Sequence, residues 1–582
     1  MQVVRLVIFV ADHVATQGQP PFIGPEEAAL DANHAVFGKA HSPIKLDVLE
    51  KWLQNYNIVD ALILWSGFKY GFRLSYDGER KARVSKNLKS AAQYSSIVQK
   101  KIDKEVQAGR VAGPFNRVPL KNLQISPIGI VPKKSPGDYR LIHHLSYPSG
   151  KSINDFIDPK ICSVQYTDFD EAVFMIQDLG KNCWLFKMDI KSAFRLLPIH
   201  PCDFELLGFS FNDKFYFDKC AAFGCSISPK LFETFSTFLE HVSKARLPNK
   251  KLLHYLDDFL GGHRSKEGCM TNMRIFAETM HELGVPLADG KTEGPSHVLV
   301  YLGLELDSIE MVVRIPKEKM QEVVEKINSV IGRQKVSLKI MQSLIGSLNF
   351  CCRAITVGRP FCRRLINATC GVKRSHHYVR ITQEMKRDLR MWLNFFQNFN
   401  GVSVFHDRFW ISNDDFQLYT DSSGGVGFGI WFNGHWCQEK WPSDWVQKGL
   451  TKNITLLELF PIVVATVVYG NYMTNRKIRF HCDNMAAVCV LNSMSSKSRQ
   501  VLALLRILTM QGIFNNCLVK ADHIDGCKND VADALSRFQY ERFRRLAPFA
   551  DKQATPMPAH LWNILDIDVD NWYSQGSLKI QN

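Results

Sequence analysis

Apolar and polar positions change period several times along this chain, and each change marks an element. Asp47 to Tyr56 has the spacing of a short amphipathic helix, and Gly67 to Gly78 mixes glycine with aromatic residues in the manner of turns. Residues 88–108 carry a helical period that Gly109 ends. The pattern then becomes strand-like. Ser126 to Lys134 and Tyr139 to Ile142 flank Ser135-Pro136-Gly137-Asp138, which predicts a β-hairpin with a basic tip. Trp184 to Asp307 alternates short apolar strands with two helical stretches, and residues 316–372 read as helical, with Arg359, Arg363 and Arg364 near their end. A second α/β unit begins near Asp415. It predicts strands at 416–420, 426–432 and 435–439, a helix at 455–468 and a strand at 478–482. Two helices, a strand at 517–521 and a last helix at 530–538 complete it. The residues after 541, proline-bearing from Pro548 to Pro558 and acidic from Asp566, read as a tail. No internal repeat or low-complexity block interrupts this order.

Composition narrows the class. The chain has 582 residues, 46% hydrophobic and 22% charged, which suits a soluble globular protein of several domains. Its 72 basic against 57 acidic residues leave a formal charge of +15, which points to a polyanionic partner, most simply nucleic acid. Fifteen cysteines without CxxC spacing (Cys351-Cys352 and Cys220/Cys225 are the close sets) predict reduced intracellular thiols, so the expected location is cytoplasmic or nuclear. The apolar run Leu6 to Ala11 is too short for a secretory signal. The run Leu456 to Tyr469 is interrupted by Glu458 and Pro461, so no membrane span is expected.

Two groups of acids carry the chemistry. His254-Tyr-Leu-Asp257-Asp258-Phe259 sets two adjacent carboxylates in a predicted strand–turn–strand, and an apolar strand from Trp184 ends in Asp189. Carboxylates from two strands can hold two Mg²⁺ ions roughly 4 Å apart, the arrangement that nucleotidyl transfer uses. Between these acids, Phe223-Gly224-Cys-Ser-Ile-Ser228-Pro229 is a glycine-bearing loop opening a helix, suited to close approach of a base pair. In the second unit Asp421 and Asp483 end strands, while Glu458 and Asp533 lie in helices. Such a set of four fits a ribonuclease H site with two Mg²⁺. Asp522, Asp525 and Asp530 crowd the same loop, so the fourth ligand is assigned to Asp533 by its spacing.

In this order the residues resemble a reverse transcriptase of the long-terminal-repeat class, most closely the DIRS-type retrotransposons. The shared features are a Lys-Lys/Arg hairpin, Asp189 with Phe194 five residues on, FGxxxSP, YLDD, Lys291 and Tyr301-Leu-Gly-Leu-Glu-Leu306. The strings Lys104–Phe115 and Pro132–Pro148 add to them, and the resemblance covers residues 85–540. It implies a multidomain α+β fold with a right-hand polymerase (fingers, palm, thumb), a connection segment and an α/β ribonuclease H domain. It also implies roles. Asp189, Ile190, Asp257 and Asp258 would ligate metal. Phe194 would exclude a ribose 2′-hydroxyl. Lys133, Lys134 and Arg140 would grip the triphosphate, Gly224, Ser228 and Pro229 would shape the template-side loop, Phe223 would contact the nucleotide, and Lys291 would protonate pyrophosphate. Phe223 stands where retroviral enzymes carry Gln. In the second unit His523, six residues before Asn529 and ten before Asp533, would assist protonation or product release beside Asp421, Glu458, Asp483 and Asp533.

The implied organisation is an N-terminal extension of unknown role at 1–85, fingers and palm at 86–310, thumb at 311–375 and connection at 376–412. The ribonuclease H domain follows at 413–541 and a tail at 542–582. The implied activity is RNA-directed DNA synthesis with hydrolysis of the RNA strand of the hybrid. It uses Mg²⁺, two per site with Mn²⁺ as the alternative metal, and takes RNA template, DNA primer and dNTPs. No Asp-Thr-Gly or Asp-Ser-Gly protease signature is present near the N-terminus, and no zinc or recombinase module follows residue 541, so a separate recombinase product is expected. Two rival readings are a domesticated, non-catalytic nucleic-acid-binding copy and a ribonuclease H with an inert polymerase half.

Overall fold

The structure, a computed structural model, describes residues 36–133, 137–398, 400, 405, 411, 416–474 and 476–565, without the side chains of residues 356, 357 and 398. Lys134, the Leu6 to Ala11 run and the acidic string from Asp566 lie outside these residues. The chain divides into two compact units, Met1–Leu299 and Val300–Asn582. Among the described residues no helix is long and apolar enough to cross a membrane.

The first unit is built on an antiparallel four-stranded sheet. β1 (Trp184–Asp189) is central. The helix α1 (Ser228–Arg246) precedes the hairpin of β2 (Leu252–Tyr255) and β3 (Asp258–His263). The helix α2 (Lys266–Leu283) and β4 (Glu293–Ser296) follow, giving the strand order β4-β1-β3-β2. Register sets Asp258 opposite Asp189 and Tyr255 opposite Asp258, so the turn between β2 and β3 is the two residues Leu256 and Asp257. Leu256 takes φ +55°, a left-handed conformation unusual for a branched residue, and the paired strands on either side hold it there. Phe259 and Phe276 are fully buried beneath the hairpin, each contributing about 2–3 kcal/mol of burial.

Residues 36–85 are integral to this unit. Helices Leu46–Leu53 and Ile58–Tyr70 bury Leu49, Leu53, Leu64 and Phe68 in the same cluster as Phe235 and Phe276. Gly67 lies inside the second helix, not in the turn that its glycine–aromatic neighbourhood predicted. A Cβ there would come within 2.3 Å of the Phe72 ring, so the glycine serves close packing. The chain then pairs its Phe72 N–H with the Pro198 carbonyl, and Arg73 and Arg80 close on the buried Asp203 at 2.9 and 2.6 Å.

The helical period at 88–108 resolves into two helices, Lys89–Gln93 and Ser95–Gln107, broken at Tyr94 (φ −120°). The predicted basic hairpin is present as Ile128–Pro132 paired with Tyr139–His143. Pro127 separates its first strand from the short strand Gln124–Ile125, which joins a different sheet.

The second unit carries helices Lys317–Ile331, Leu338–Cys351, Arg363–Thr369 and Gln383–Asn398 before its sheet. Arg364 and Arg506 both close on the buried Asp388, at 3.0 and 2.7 Å. Of the three arginines near the end of the predicted helical stretch, Arg364 is therefore committed to an internal ion pair. The sheet consists of β5 (Leu418–Ser422), β6 (Gly427–Phe432), β7 (His435–Lys440), β8 (Lys477–Cys482) and β9 (Leu518–His523), with helix α3 (Ile454–Val468) between β7 and β8 and helix α4 (Asp530–Ser536) after β9. Its order is β7-β6-β5-β8-β9, antiparallel on the β6 side of β5 and parallel on the β8 side. Gly429 lets α4 sit directly on β6, since a Cβ would lie 2.4 Å from Leu535 Cβ.

Of the residues read as a tail, those described, 542–565, fold back onto this unit. Trp562 stacks on Phe460 of α3 (5.3 Å, 12°), and its carbonyl accepts from Trp445 Nε1 at 3.2 Å. Asp551 pairs with His435 at 2.6 Å, and the Arg544 guanidinium donates to the carbonyls of Ala550, Asp551 and Lys552. Indole and aromatic faces spread through residues 441–562 have no sequence period to reveal that they share one cluster.

Candidate active sites

In the first unit, the β2–β3 turn and the end of β1 bring Asp189, Asp257 and Asp258 together. Backbone bonds fix the junction: Ile190 N–H donates to the Asp257 carbonyl (3.0 Å), and Ala288 N–H to the Asp189 carbonyl (2.8 Å). Ile190 itself is buried. Three carboxylates this close repel one another. Burial, then the charges of Asp257 and Asp189, push Asp258 up to about 6; burial and Asp189 also raise Asp257, against the opposing pull of Lys291 and Arg140. Lys291 Nζ sits 2.7 Å from Asp189 Oδ2 and supplies a partial counter-charge. Buried, hard oxygen donors short of positive charge fit divalent Mg²⁺.

Around these acids stand the other residues singled out from the sequence. Phe194 lies in the turn Ala193–Leu196 that follows β1, half-buried, its ring 5.2 Å from Phe223 and 5.6 Å from Phe232. Arg140, exposed on the hairpin of Ile128–Pro132 and Tyr139–His143, holds its guanidinium 5.3 Å from the Phe223 ring centroid. Gly224 takes φ +122°, and a Cβ there would meet the His143 carbonyl at 2.1 Å, so no other residue fits. Ser228 is fully buried and donates to the Ala222 carbonyl (3.1 Å), while Pro229 occupies the first turn of α1. Lys133 is exposed and paired with Asp138 at 2.7 Å, so the basic tip is partly neutralised within its own hairpin. In the second unit, Leu302 and Gly303 of the Tyr301–Leu306 motif both take positive φ (+49° and +82°).

In the second unit, Asp421 ends β5, Glu458 projects from α3 and Asp483 follows β8. Burial, then Asp421 and Asp483, push Glu458 up to about 9. Burial raises Asp421 to about 6, against the hydroxyl of Ser536, which donates to its Oδ2. These are again carboxylates in need of a cation, and their chemistry fits Mg²⁺. Asp533 differs. Burial would raise it, but Arg537 (2.6 Å) and Arg542 (2.5 Å) grip both its oxygens and hold it low. It still lies close enough to add to the negative field at Asp421. His523, which ends β9, donates from Nε2 to the Asp483 carbonyl at 3.1 Å, and Asn529 donates to the Thr420 carbonyl at 2.9 Å.

Residues 131–306 match the reverse transcriptase (RNA-dependent DNA polymerase) family. The chain is similar to Protein P of duck hepatitis B virus (strain United States/DHBV-16), 27% identical over 164 residues. That stretch is 28% of this chain and 19% of the viral protein. Heron hepatitis B virus Protein P is 28% identical over 164 residues, 28% of this chain and 20% of that protein. The match thus spans about a fifth of these curated relatives. Among solved structures, the foamy viral protease-reverse transcriptase dRH in complex with ds DNA aligns over 87% of this chain and 84% of that one, with 14% identity and TM-score 0.45.

Sequence reasoning missed three residues around the site of Asp189, Asp257 and Asp258. Asn154 donates to the Gly224 carbonyl (2.8 Å) and accepts from Ser226 N–H (2.9 Å), clamping the glycine loop from a segment seventy residues away. Arg195 and His143 form a buried ion-pair network behind Phe194 and Phe223. Arg195 adjoins Phe194 in sequence and could have been noticed for an unbalanced charge in an apolar run. Asn154 and His143 carry no such signal.

Proposed function

We propose that this chain is an RNA-directed DNA polymerase with a fused ribonuclease H, of the DIRS-type retrotransposon class, organised in the six segments read from the sequence. The observation that carries the polymerase reading is Asp258 facing Asp189 across an antiparallel register, with Asp257 in the turn, inside the segment matching the reverse transcriptase family. Mg²⁺ bound to these carboxylates would acidify a primer 3′-hydroxyl and offset charge on the leaving pyrophosphate. The chain's own residues do the rest. Phe194 closes the space a 2′-hydroxyl needs. Arg140, steadied by Phe223, and Lys133 with Lys134 receive the triphosphate, and Lys291, released from Asp189, is placed to give pyrophosphate a proton. RNA template, DNA primer and dNTPs are the substrates, inside the cell.

Asp421, Glu458 and Asp483 support the ribonuclease H reading as three converging carboxylates on strand and helix ends. Asp533 joins them once it yields its arginines, and His523 stands at the exit beside Asp483. The strings Lys104–Phe115 and Pro132–Pro148 support the DIRS affiliation, which implies a separate recombinase product.

Primer extension on poly(rA)/oligo(dT) with Mg²⁺ tests the first activity. Wild type is expected to extend and Asp257→Ala to fail; equal failure of both would end the polymerase reading. Glu458→Gln is expected to abolish cleavage of an RNA–DNA hybrid while synthesis continues, and loss of both together would argue against separate centres.

A further inference from the structure

Arg195 follows Phe194 directly and points the other way, into the protein, with its side chain 9% exposed. A guanidinium carries five N–H donors. Each finds an acceptor here. Nε donates to Glu105 Oε2 (3.0 Å); Nη1 donates to the carbonyls of Cys220 (3.3 Å) and Ala221 (3.2 Å); Nη2 donates to the Arg110 carbonyl (3.4 Å) and to Asp218 Oδ1 (2.7 Å). The other oxygen of Asp218 meets His143 Nδ1 at 3.0 Å, and His143 Nε2 meets the Gly208 carbonyl at 3.1 Å. The backbone of His143 completes the circuit: its N–H donates to the Phe223 carbonyl (3.3 Å), and its carbonyl is the atom that excludes any Cβ at Gly224.

Three loops distant in sequence therefore converge on one buried cation. The turn carrying Phe194 is held from behind by Arg195. Two of the three carbonyls it grips, those of Cys220 and Ala221, lie just before Phe223, and one of its two acid partners, Asp218, positions the base of the hairpin bearing Arg140. Bidentate and forked geometry of this kind fixes position to a degree that a point charge does not.

We propose that Arg195 is the positioning residue that sets the Phe194–Phe223–Arg140 spacing and through it the preference for deoxynucleotides over ribonucleotides. This rests on the polymerase reading above. If Arg195 is loosened, the Phe194 ring gains freedom to withdraw, and a 2′-hydroxyl is tolerated. Arg195 touches no substrate; it acts through its neighbour.

The test is steady-state kcat and KM for a dNTP and the matching rNTP, in primer extension by the full chain. Arg195→Lys keeps the charge but loses the fork. Glu105→Gln removes the charge of one of five contacts at a part-exposed position, so it tests the same network with little risk to folding. Arg80→Lys, at the separate Asp203 ion pair, is the stability control. Arg195→Lys is expected to lower dNTP-over-rNTP selectivity on the order of tenfold, mainly through a lower KM for the rNTP. Glu105→Gln should show a smaller loss in the same direction, and Arg80→Lys none, whatever its melting temperature. Unchanged selectivity in Glu105→Gln together with wild-type selectivity or failed folding in Arg195→Lys would overturn the proposal. Absence of extension by wild type would instead remove the polymerase reading on which it stands.

Discussion

At the scale of single residues, both acid clusters are strained by their own charge. Asp258 is raised to about 6 in the fold from an unfolded value near 4. A carboxyl raised in this way costs stability as pH climbs from about 4 to 6, and the cost persists above. In metal-free protein at pH 8, Asp258→Asn is therefore expected to raise stability by about 1 kcal/mol, after discounting for partial exposure, while impairing synthesis. Thermal melts in chelator at pH 8 and pH 4 check it, since the gain should disappear at the lower pH. His254, three residues from Asp257, behaves oppositely. It sits between Glu240 and Glu233 (3.2 Å to the latter), and although burial opposes it, those acids raise it to about 9. Its stabilisation is complete below about pH 6.5, the unfolded histidine value, and is lost as pH rises through about 9. His254→Gln should flatten the stability profile between those limits and, by leaving Glu233 and Glu240 buried without a cation, destabilise at pH 6.5 by about 3 kcal/mol.

Elements are placed by what glycine allows as much as by apolar faces. α4 rests on β6 because Gly429 has no side chain, with Leu535 Cβ and the Ala532 carbonyl within 2.4 and 2.7 Å of where a Cβ would be. That contact sets how near the α4 residue Asp533 comes to Asp421. Gly429→Ala is expected to cost about 1–3 kcal/mol by overpacking and to depress hybrid cleavage sharply, leaving primer extension unaffected. Denaturant melts together with the two activity assays would show it. Equal loss of both activities would mean the effect is not confined to this sheet.

For the whole molecule, segments that looked peripheral belong to the cores. Trp562, with Trp441, Trp445 and Phe460, closes the apolar face of α3, while Asp551 and the carbonyls near it are gripped by His435 and Arg544. Removing residues 547–582 is expected to abolish hybrid cleavage and lower the melting temperature of the second unit, with primer extension retained. Nuclease assay and calorimetry of the truncated chain decide this, and full cleavage activity in that chain would contradict it.

Much of the molecule was legible beforehand because its signals are local. The strand ending in Asp189, the strand–turn–strand around Asp257, the strand reaching Asp421 and the helix holding Glu458 each follow from a few neighbouring residues whose period and turn chemistry suffice. The reading failed where a position is set by distant partners. The glycine at 67 serves Phe72 packing inside a helix, Arg364 is taken up by Asp388, and residues 547–565 join an aromatic cluster begun a hundred residues earlier. The sequence by itself determined which acids can share a cation and in what order they come. Only the tertiary structure decided which charges are already satisfied — Asp533 by Arg537 and Arg542, Arg195 by five acceptors — because that depends on burial and on side chains brought together from loops that share no periodicity.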